Sequence, residues 1–343
     1  MNIYIARTPY HVMLAHAVYL ATRGDDIRND FRARLIYSGP SLDPIEAIIT
    51  KSYWQDVLHF DVRGSAWALR KSNAIRHWVD QRFEGTAVDS LYVSDDMNWR
   101  DQVLGYHLQA KRKCLIEDGI GSYYRAKLNT KQQLFRNTVL RGLFAGIIQH
   151  YGAVSQSHGD SYFAVDPRAF PWVKNRGHVS IIKNELRQYV SEAAVRCRAH
   201  LEPSEQTELY FLTQPFFESD LLTRDQDLRR HQLLASHFSN AKSVLVKKHP
   251  RERDEMFKAR VKAIASAIPH ADILPSSSPI PAELLSIQAR PGAIFVSFIS
   301  TALINIKHLR DDLSVCFQPV SKDDTISSLF SRLGIRQIRR ETP

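Results

Sequence analysis

Residues 244–252, Val-Leu-Val-Lys-Lys-His-Pro-Arg-Glu, join a short apolar run to a cluster of basic side chains. The β-branched run predicts a buried strand that ends at Lys248. Because proline excludes the helical region for the residue before it, His249 is expected to be extended at the carboxyl end of this strand, where open α/β sheets bind ligands. With Lys247 and Arg251 nearby, this position suits an anionic ligand, and the histidine can exchange a proton with a phosphate oxygen. The alternative is a solvated loop histidine beside a solvated basic edge.

Two predicted helix starts in the same half of the chain carry polar groups suited to a nucleotide. The segment 297–303, Ser-Phe-Ile-Ser-Thr-Ala-Leu, predicts a strand that delivers Ser300 and Thr301 to a helix N-terminus, where free backbone N–H groups and the helix dipole attract anions. Pro281 opens another helix, and the carboxylate of Glu283 in its first turn can accept hydrogen bonds from ribose hydroxyls. Each residue also has a structural explanation, namely capping for the hydroxyls and a favourable dipole interaction for the glutamate.

Carboxylates end two predicted strands in the first half of the chain. Glu117-Asp118-Gly119 follows one of them, and the glycine lets the backbone turn so that the carboxylates project from the strand end. Such a carboxylate can act as a general base toward a hydroxyl, although an acidic helix N-cap is the structural alternative. Asp95 and Asp96 end another strand and are secondary candidates for an acceptor site, since no metal-ligand pattern surrounds them.

Strands alternate with helices along the chain, which predicts mainly parallel sheets covered by helices. The first strand leads into a helix capped by Thr8, with Pro9 at its first position. Phe163 and the segment 170–173 are expected to form an irregular connection. The expected strands are 2–6, 34–37, 57–60, 90–93, 113–116, 209–213, 244–248, 273–274, 293–296 and 315–318, the last of which is expected to close the second sheet.

The length of 343 residues is too great for one ordinary core, so two domains are expected. The stretch Glu202-Pro203-Ser204-Glu205 is the candidate linker. We therefore expect an N-terminal domain over 1–203 and a C-terminal domain over 204–322. A terminal helix and tail over 323–343 can pack back toward the N-terminal domain.

The formal charge of +10 and the isoelectric point near 9.5 predict an acidic partner: nucleic acid, an anionic membrane surface or a phosphorylated substrate. The basic and apolar segment 125–151 can lie on an anionic membrane, or it can be a helix packed on its own domain. Three widely separated cysteines support neither a zinc site nor a disulfide framework, which fits a reducing cytoplasm. The sequence shows neither a signal-peptide pattern nor a membrane-spanning run, so a soluble or peripheral protein is expected.

Short motifs in a fixed order give the chain a resemblance to a known group of enzymes. They are Thr8-Pro9-Tyr10-His11, Glu117-Asp118-Gly119, Thr213-Gln214-Pro215, His249-Pro250, Pro281-Ala282-Glu283 and Ser300-Thr301. Together they resemble the bacterial sialyltransferases, in particular the lipooligosaccharide sialyltransferase (glycosyltransferase family 52) and capsule polysialyltransferase group. Each motif is short, and the resemblance spans nearly the whole chain.

This resemblance implies a GT-B fold, in which two Rossmann-like domains face a central cleft. It places the acceptor on the N-terminal side and CMP-sialic acid on the C-terminal side, and it implies inversion at the anomeric carbon without a metal or other cofactor. Glu117 takes the position of the general base, and His249 faces the donor phosphate as acid or electrostatic stabiliser. The pair Ser300-Thr301, in place of the commoner double serine, binds the same phosphate.

The resemblance assigns each of the other motif residues to the donor side or to the acceptor side of the site. Expected on the donor side are Lys248, Pro250, Glu283 and Gln214, and on the acceptor side Asp118, Gly119, Thr8, Tyr10 and His11. The predicted reaction moves sialic acid, or a related nonulosonic acid, from CMP to a lipid-linked bacterial glycan at the cytoplasmic membrane face. One alternative keeps the fold with a UDP-hexose or CMP-Kdo donor. The other is a basic nucleic-acid-binding protein, against which stands the absence of a helix-turn-helix, zinc or RNP-type motif.

Overall fold

A computed structural model describes residues 1–23, 33–39, 43–60, 68–94, 98–123, 138, 159–198, 206–319 and 324–338. The chain divides into two compact units, Met1–Tyr189 and Val190–Pro343. Several sequence predictions lie outside the described residues: the linker at 202–205 with the boundary at 203/204, Asp95 and Asp96, and the basic segment 125–151 apart from Thr138.

The first unit contains a seven-stranded sheet in which all neighbouring strands are parallel. Its strands are β1 (Asn2–Ala6), β2 (Ala33–Tyr37), β3 (Asp56–His59), β4 (Ser90–Val93), β5 (Arg112–Ile116), β6 (Ser161–Ala164) and β7 (Val179–Ile181). The spatial order is β3-β2-β1-β4-β5-β6-β7, so the order reverses between β1 and β4. Carboxyl ends of strands beside such a reversal are where open α/β sheets bind ligands.

Helices connect these strands. They are α1 (Pro9–Thr22), α2 (Asp43–Glu46), α3 (Ala68–Phe83), α4 (Trp99–Leu108) and α5 (Lys183–Arg196), the last of which crosses the boundary between the two units. The start of α1 is as predicted, because the Thr8 hydroxyl accepts a hydrogen bond from the backbone N–H of His11 at 3.2 Å. Pro9 lies in the first turn, where a backbone N–H has no partner within the helix.

The second unit contains a six-stranded parallel sheet in the order β10-β9-β8-β11-β12-β13. Its strands are β8 (Leu209–Leu212), β9 (Ser243–Lys247), β10 (Asp272–Ser276), β11 (Ile294–Ser297), β12 (Ser314–Phe317) and β13 (Arg336–Gln337). Its helices are α6 (Arg224–Ser236), α7 (Asp254–Ala267), α8 (Ala282–Gln288), α9 (Thr301–Leu309) and α10 (Asp324–Arg332). The outer strand β10 contains Pro275, which is exposed.

Both units follow the strand order 3-2-1-4-5-6 of a dinucleotide-binding fold, to which the first unit adds β7. Two such units in one chain make up the GT-B architecture, so the predicted fold class is confirmed.

The central strands of each sheet are buried on both faces, which explains the continuous apolar runs in their sequences. Aromatic rings stack across the two strands at each reversal. Tyr4 of β1 stacks on Tyr92 of β4, and Tyr210 of β8 stacks on Phe295 of β11, both with 4.3 Å between ring centroids. The two sheets therefore have the same kind of aromatic contact at corresponding positions.

Two expectations differ from the structure. Phe163 lies in β6 rather than in an irregular connection, and β12 does not close the second sheet, because β13 pairs with its outer side. Residues 324–338 add α10 and β13 to the second unit, where Phe330 packs on Phe317 with 4.8 Å between ring centroids. The physical reason is length, since β6, β7 and β13 have only two to four residues and are too short to show a periodic pattern.

Candidate active site

Glu117 directly follows β5, and its side chain is fully buried. Its Oε1 accepts a hydrogen bond from the Tyr10 hydroxyl at 3.1 Å, and its Oε2 accepts one from the backbone N–H of Val165 at 2.8 Å. Burial raises the pKa of Glu117 to about 7, although these donors and the Tyr123 hydroxyl favour the ionised form. The carboxyl group therefore titrates near neutral pH, which suits proton transfer.

Asp118 and His11 form a pair at the same strand end. His11 Nε2 lies 2.6 Å from Asp118 Oδ1, and the side chains of the histidine and aspartate are 6% and 30% exposed. The aspartate makes no side-chain cap to the turn Gly119–Ser122. Instead, its backbone N–H donates to the Ser122 hydroxyl at 2.8 Å. The N-cap alternative therefore does not describe Asp118, whose carboxylate contacts the histidine.

Gly119 supplies the turn that directly follows the two carboxylates. Its φ is +74°, in the left-handed region that favours glycine, as the sequence predicted. On the other side of the site, α1 presents Tyr10 to Glu117 and His11 to Asp118, while Thr8 caps the helix. The acceptor-side residues assigned from the sequence therefore lie together, although 107 positions separate the members of each pair.

His249 lies two residues beyond β9 and is partly buried. Its backbone N–H donates to Glu252 Oε2 at 2.9 Å, and its Nδ1 accepts from the backbone N–H of Arg251 at 3.1 Å. Because Nδ1 is an acceptor, the neutral ring carries its proton on Nε2. Burial, followed by the positive charges of Arg251 and Lys247, lowers the pKa of His249 to about 4. At neutral pH the ring is therefore an uncharged donor.

The lysines next to His249 contact other groups of the same unit. Lys247 is buried at the end of β9 and donates to the carbonyl oxygen of Ser278. Lys248 Nζ lies 2.5 Å from Asp254 Oδ1. The expected solvated basic edge is therefore partly neutralised, and Pro250, which follows the histidine, is exposed in the turn.

A buried ion network supports the loop after β9. The guanidinium of Arg260 on α7 is fully buried and donates to Glu252 Oε1 at 2.8 Å and to Glu218 Oε2 at 2.7 Å. It also donates to Asp227 on α6. Burial opposes the ionisation of Asp227, but hydrogen bonds from His231 and Arg260 outweigh this effect and lower its pKa to about 2. Asp227 therefore stays ionised at neutral pH, whereas burial raises the pKa of Glu252 in the same network.

Glu252 links this network to two of the sequence motifs. Its Oε2 accepts the His249 N–H and also lies 2.7 Å from Thr213 Oγ1, at the end of β8. Next in the chain, Gln214 Nε2 donates to the Ser297 hydroxyl at 3.5 Å, at the end of β11. The segments that follow β8, β9 and β11 therefore meet at the carboxyl edge of the second sheet, beside its reversal.

Ser300 is the N-cap residue of α9, yet its hydroxyl makes no capping hydrogen bond. Capping therefore does not account for this serine, and both Ser300 and Thr301 are partly exposed. Glu283 at the start of α8 is buried, and its Oε1 accepts a hydrogen bond from Asn305 Nδ2 of α9 at 2.8 Å. Burial raises the pKa of Glu283, although this bond favours its ionised form. Its contact with ribose remains a prediction.

Sequence reasoning missed Arg260, Asp227, His231 and Asn305. The first three are polar residues on amphipathic helices, where such residues usually face solvent. One available signal was Glu252, three residues after the histidine, because an acidic side chain at this spacing can close a loop onto a backbone N–H.

The described part of the chain contains no group of three or more His, Cys, Asp or Glu residues that could hold a metal ion. Within the same residues, no helix is both long and apolar enough to cross a membrane. The three cysteines are buried free thiols.

Solved structures share this fold over most of the chain. A Listeria monocytogenes protein named as a UDP-N-acetylglucosamine 2-epimerase matches with a TM-score of 0.53 and 10% identity, covering 94% of this chain and 79% of that chain. The UDP-GlcNAc 2-epimerase from Neisseria meningitidis, bound to UDP-GlcNAc, matches with a TM-score of 0.52 and 8% identity, covering 88% of this chain and 79% of that chain. At these identities the likeness concerns the fold alone. No curated protein matches the sequence.

The family comparison is more specific. Residues 106–317, more than half of the chain, match the alpha-2,8-polysialyltransferase (POLYST) family. The matched span includes the acidic turn at 117–119, the His249-Pro250 pair and the Ser300-Thr301 pair, so the family resemblance predicted from the motifs is confirmed. With its GT-B fold the protein is a glycosyltransferase, and the chain belongs to the alpha-2,8-polysialyltransferase family.

Proposed function

We propose that this glycosyltransferase moves sialic acid, or a related nonulosonic acid, from a CMP-activated donor to a hydroxyl of a bacterial lipooligosaccharide or capsular glycan. The observation that carries this proposal is the His249 loop, which holds an uncharged Nε2–H donor at the carboxyl end of β9. As CMP leaves, negative charge develops on its phosphate. Donors fixed in advance, such as this imidazole, stabilise that charge.

The phosphate site in this proposal is completed by the start of α9. Ser300 and Thr301 supply hydroxyls, and the first backbone N–H groups of the nine-residue helix add the positive end of its dipole. Lys248 and Gln214 contribute further donors around the same strand ends, Pro250 fixes the conformation of the histidine, and Glu283 accepts the ribose hydroxyls. A bound phosphate raises the proton affinity of His249, so that the ring can act as an acid when the bond breaks.

The acceptor side must remove a proton from the attacking hydroxyl while the anomeric carbon inverts. The family resemblance assigns this role to Glu117, and its pKa of about 7 suits a base that works near neutral pH. Asp118, Gly119, Thr8, Tyr10 and His11 form its surroundings. In this proposal the protein's own donors stabilise the leaving group without a metal, so transfer is expected to persist in EDTA.

The acceptor in this proposal is a lipid-linked or polyanionic glycan at the cytoplasmic face of the membrane. The formal charge of +10 supports it, because a basic surface attracts anionic lipids and sialylated polymers alike.

The first test compares nucleotides by thermal shift. We expect CMP, but not UDP, to raise the melting temperature, because a ligand that binds only the folded state stabilises it. The second test incubates the protein with CMP-sialic acid and an array of labelled galactosides and sialosides, with transfer read as a mass increase. Stabilisation by UDP alone would favour a UDP-hexose donor, and consumption of CMP-Kdo instead of CMP-sialic acid would favour that sugar.

A further inference from the structure

The loop that follows β6, residues 165–170, contacts the acidic turn after β5 at two points. The backbone N–H of Val165 donates to Glu117 Oε2 at 2.8 Å, and the backbone N–H of Phe170 donates to the carbonyl oxygen of Ser122 at 2.7 Å. Glu117 and Ser122 are both fully buried. The position of this loop, which we call the β6 loop, therefore determines how the Glu117 carboxyl group is held.

The β6 loop has an uncommon conformation that needs support. Phe170 is buried and has a φ of +54°, in the left-handed region where bulky residues are rarely found. Such a conformation persists only where neighbouring contacts determine it, and it is most common at functional sites. Arg176, shortly before β7, supplies these contacts. Its guanidinium donates to the carbonyl oxygens of Phe170 at 2.8 Å and Ala169 at 3.0 Å, and also to that of Pro167.

The two carboxylate oxygens of Glu117 have partners of different kinds. Oε2 accepts from a backbone N–H that the β6 loop fixes, whereas Oε1 accepts from the Tyr10 hydroxyl at 3.1 Å. A hydroxyl group can rotate and give up its place to another hydroxyl, but a backbone N–H in a fixed loop cannot. Oε1 is therefore the oxygen that can accept a proton from an acceptor hydroxyl, while the bond to Oε2 keeps the carboxyl group in place.

Resting on the proposed function, in which Glu117 is the base, we propose that Arg176 is a positioning residue that acts through the β6 loop. It keeps the Val165 N–H against Oε2, so that Oε1 is presented to the acceptor. The acceptor O–H bond breaks and its proton moves to Oε1. The oxygen bonds to the anomeric carbon as the bond from this carbon to the CMP phosphate oxygen breaks, and CMP leaves with that electron pair.

The β6 loop also influences how tightly Glu117 binds a proton. The groups that face Glu117 are Tyr10 on α1, Tyr123 after the acidic turn, and Val165 and Asp166 on the loop. Burial is the largest influence and raises the pKa of Glu117, the hydrogen bonds from Val165 and the tyrosines lower it, and the negative charge of Asp166 raises it. Loosening the loop and removing the charge of Asp166 should therefore shift this pKa in opposite directions.

The first test measures transfer by Arg176→Gln between pH 6 and pH 9, with saturating CMP-sialic acid and a labelled glycan that the wild type extends. Because the hydrogen bond from Val165 is weakened, the midpoint of the pH–rate profile should rise by about one pH unit. The rate should be about tenfold below that of the wild type at pH 6, with a smaller difference at pH 9. KM for CMP-sialic acid should be unchanged. The control is Arg112→Gln at the exposed start of β5, which should keep the wild-type profile.

The second test uses Asp166→Asn, whose amide oxygen can still accept the backbone N–H of Arg168, a bond of 2.8 Å in the wild type. This variant removes a negative charge that faces Glu117, so the midpoint should move to lower pH, opposite to the shift in Arg176→Gln. The positive charge of Arg168 remains and acts in the same direction. A loop needed only for folding would instead lower the rate equally at every pH in both variants.

Infrared spectroscopy follows the same titration without any substrate. The C=O stretch of protonated Glu117, identified by its absence in Glu117→Gln, should titrate at higher pH in Arg176→Gln and at lower pH in Asp166→Asn than in the wild type. An unchanged midpoint in Arg176→Gln, or a loss of rate that is equal at all pH values, would overturn the proposal.

If Arg176→Gln does not fold, Arg176→Lys takes its place. A lysine keeps the charge but lacks the planar fork that reaches several carbonyl groups, so the midpoint should still rise, and an unchanged midpoint would again overturn the proposal. A wild-type protein that transfers no sialic acid and is not stabilised by CMP, while the infrared midpoints shift as expected, would contradict the proposed function and not the positioning of Glu117.

Discussion

Two buried carboxyl groups, one in each unit, have pKa values that are shifted in opposite directions. In the first, Glu117 is surrounded by hydroxyl and backbone donors, and burial raises its pKa to about 7. In the second, Asp227 is equally inaccessible but lies against Arg260 and His231, and its pKa falls to about 2. Because the main difference is a buried cation, the comparison shows how one fold can make a carboxyl group either a titrating group or a permanent charge.

The largest expected effect concerns His249, whose loop is supported by the buried ion network of Arg260. If this network holds the loop after β9 so that His249 can face the donor, His249→Ala should lower the transfer rate about 10²–10⁴-fold. Its melting temperature should stay close to that of the wild type, because the network of Arg260 is intact. The control is His270→Ala at an exposed position of the same unit. Full turnover by His249→Ala would remove the histidine from the mechanism.

The second prediction concerns the removal of the cation from the buried ion network of the second unit. Arg260→Met should lower the free energy of unfolding by about 3–5 kcal/mol, because it leaves buried carboxylates without their cation. Urea unfolding measures this change. As a control, Arg76→Met removes an exposed ion pair with Asp80 on α3, and its stability should match that of the wild type. Equal stability of the two variants would mean that the buried network is not what stabilises the unit.

The third prediction concerns the titrating carboxyl group of the first unit. The pKa of Glu117 is higher in the folded state than its usual value of 4.5, so the folded state binds this proton more tightly than the unfolded state. The resulting stability is fully present below pH 4.5 and is lost as the pH rises through about 7. The loss amounts to about 3 kcal/mol, from roughly 1.4 kcal/mol per pKa unit.

Glu117→Gln cannot ionise and should lack this part of the pH dependence. Unfolding measured in urea at pH 5 and pH 8 should therefore show a smaller loss of stability in the variant than in the wild type. Equal losses would indicate that Glu117 has an ordinary pKa, and its contrast with Asp227 would then disappear.

The smallest expected effect is on nucleotide binding. Ser300→Ala removes a hydroxyl that makes no capping hydrogen bond, so the helix should be unaffected. The loss of one hydrogen bond to a charged phosphate should weaken CMP binding about tenfold, measured by calorimetry. Ser266→Ala, on the exposed face of α7, is the control. An unchanged CMP affinity in Ser300→Ala would place this serine outside the donor site.

The sequence predicted those parts of the molecule that depend on local pattern. Strands such as β1 and β9 were found because strands buried on both faces are continuously apolar, and the left-handed turn at Gly119 because it requires glycine. The network of Arg260 was not predictable in this way, because Asp227 and Glu218 lie 33 and 42 positions away in the sequence. The burial of Glu117 was also missed, since an acidic turn looks exposed until α1 is known to cover it.

Pro275 has a consequence for how copies of the protein behave toward one another. It lies in β10, the outermost strand on one side of the second sheet, and it has no backbone N–H to offer to another strand. Exposed strand edges are the usual starting points for aggregation between sheets, and a proline is one of the devices that block them. This edge of the second sheet is therefore protected against edge-to-edge association with a second copy of the protein.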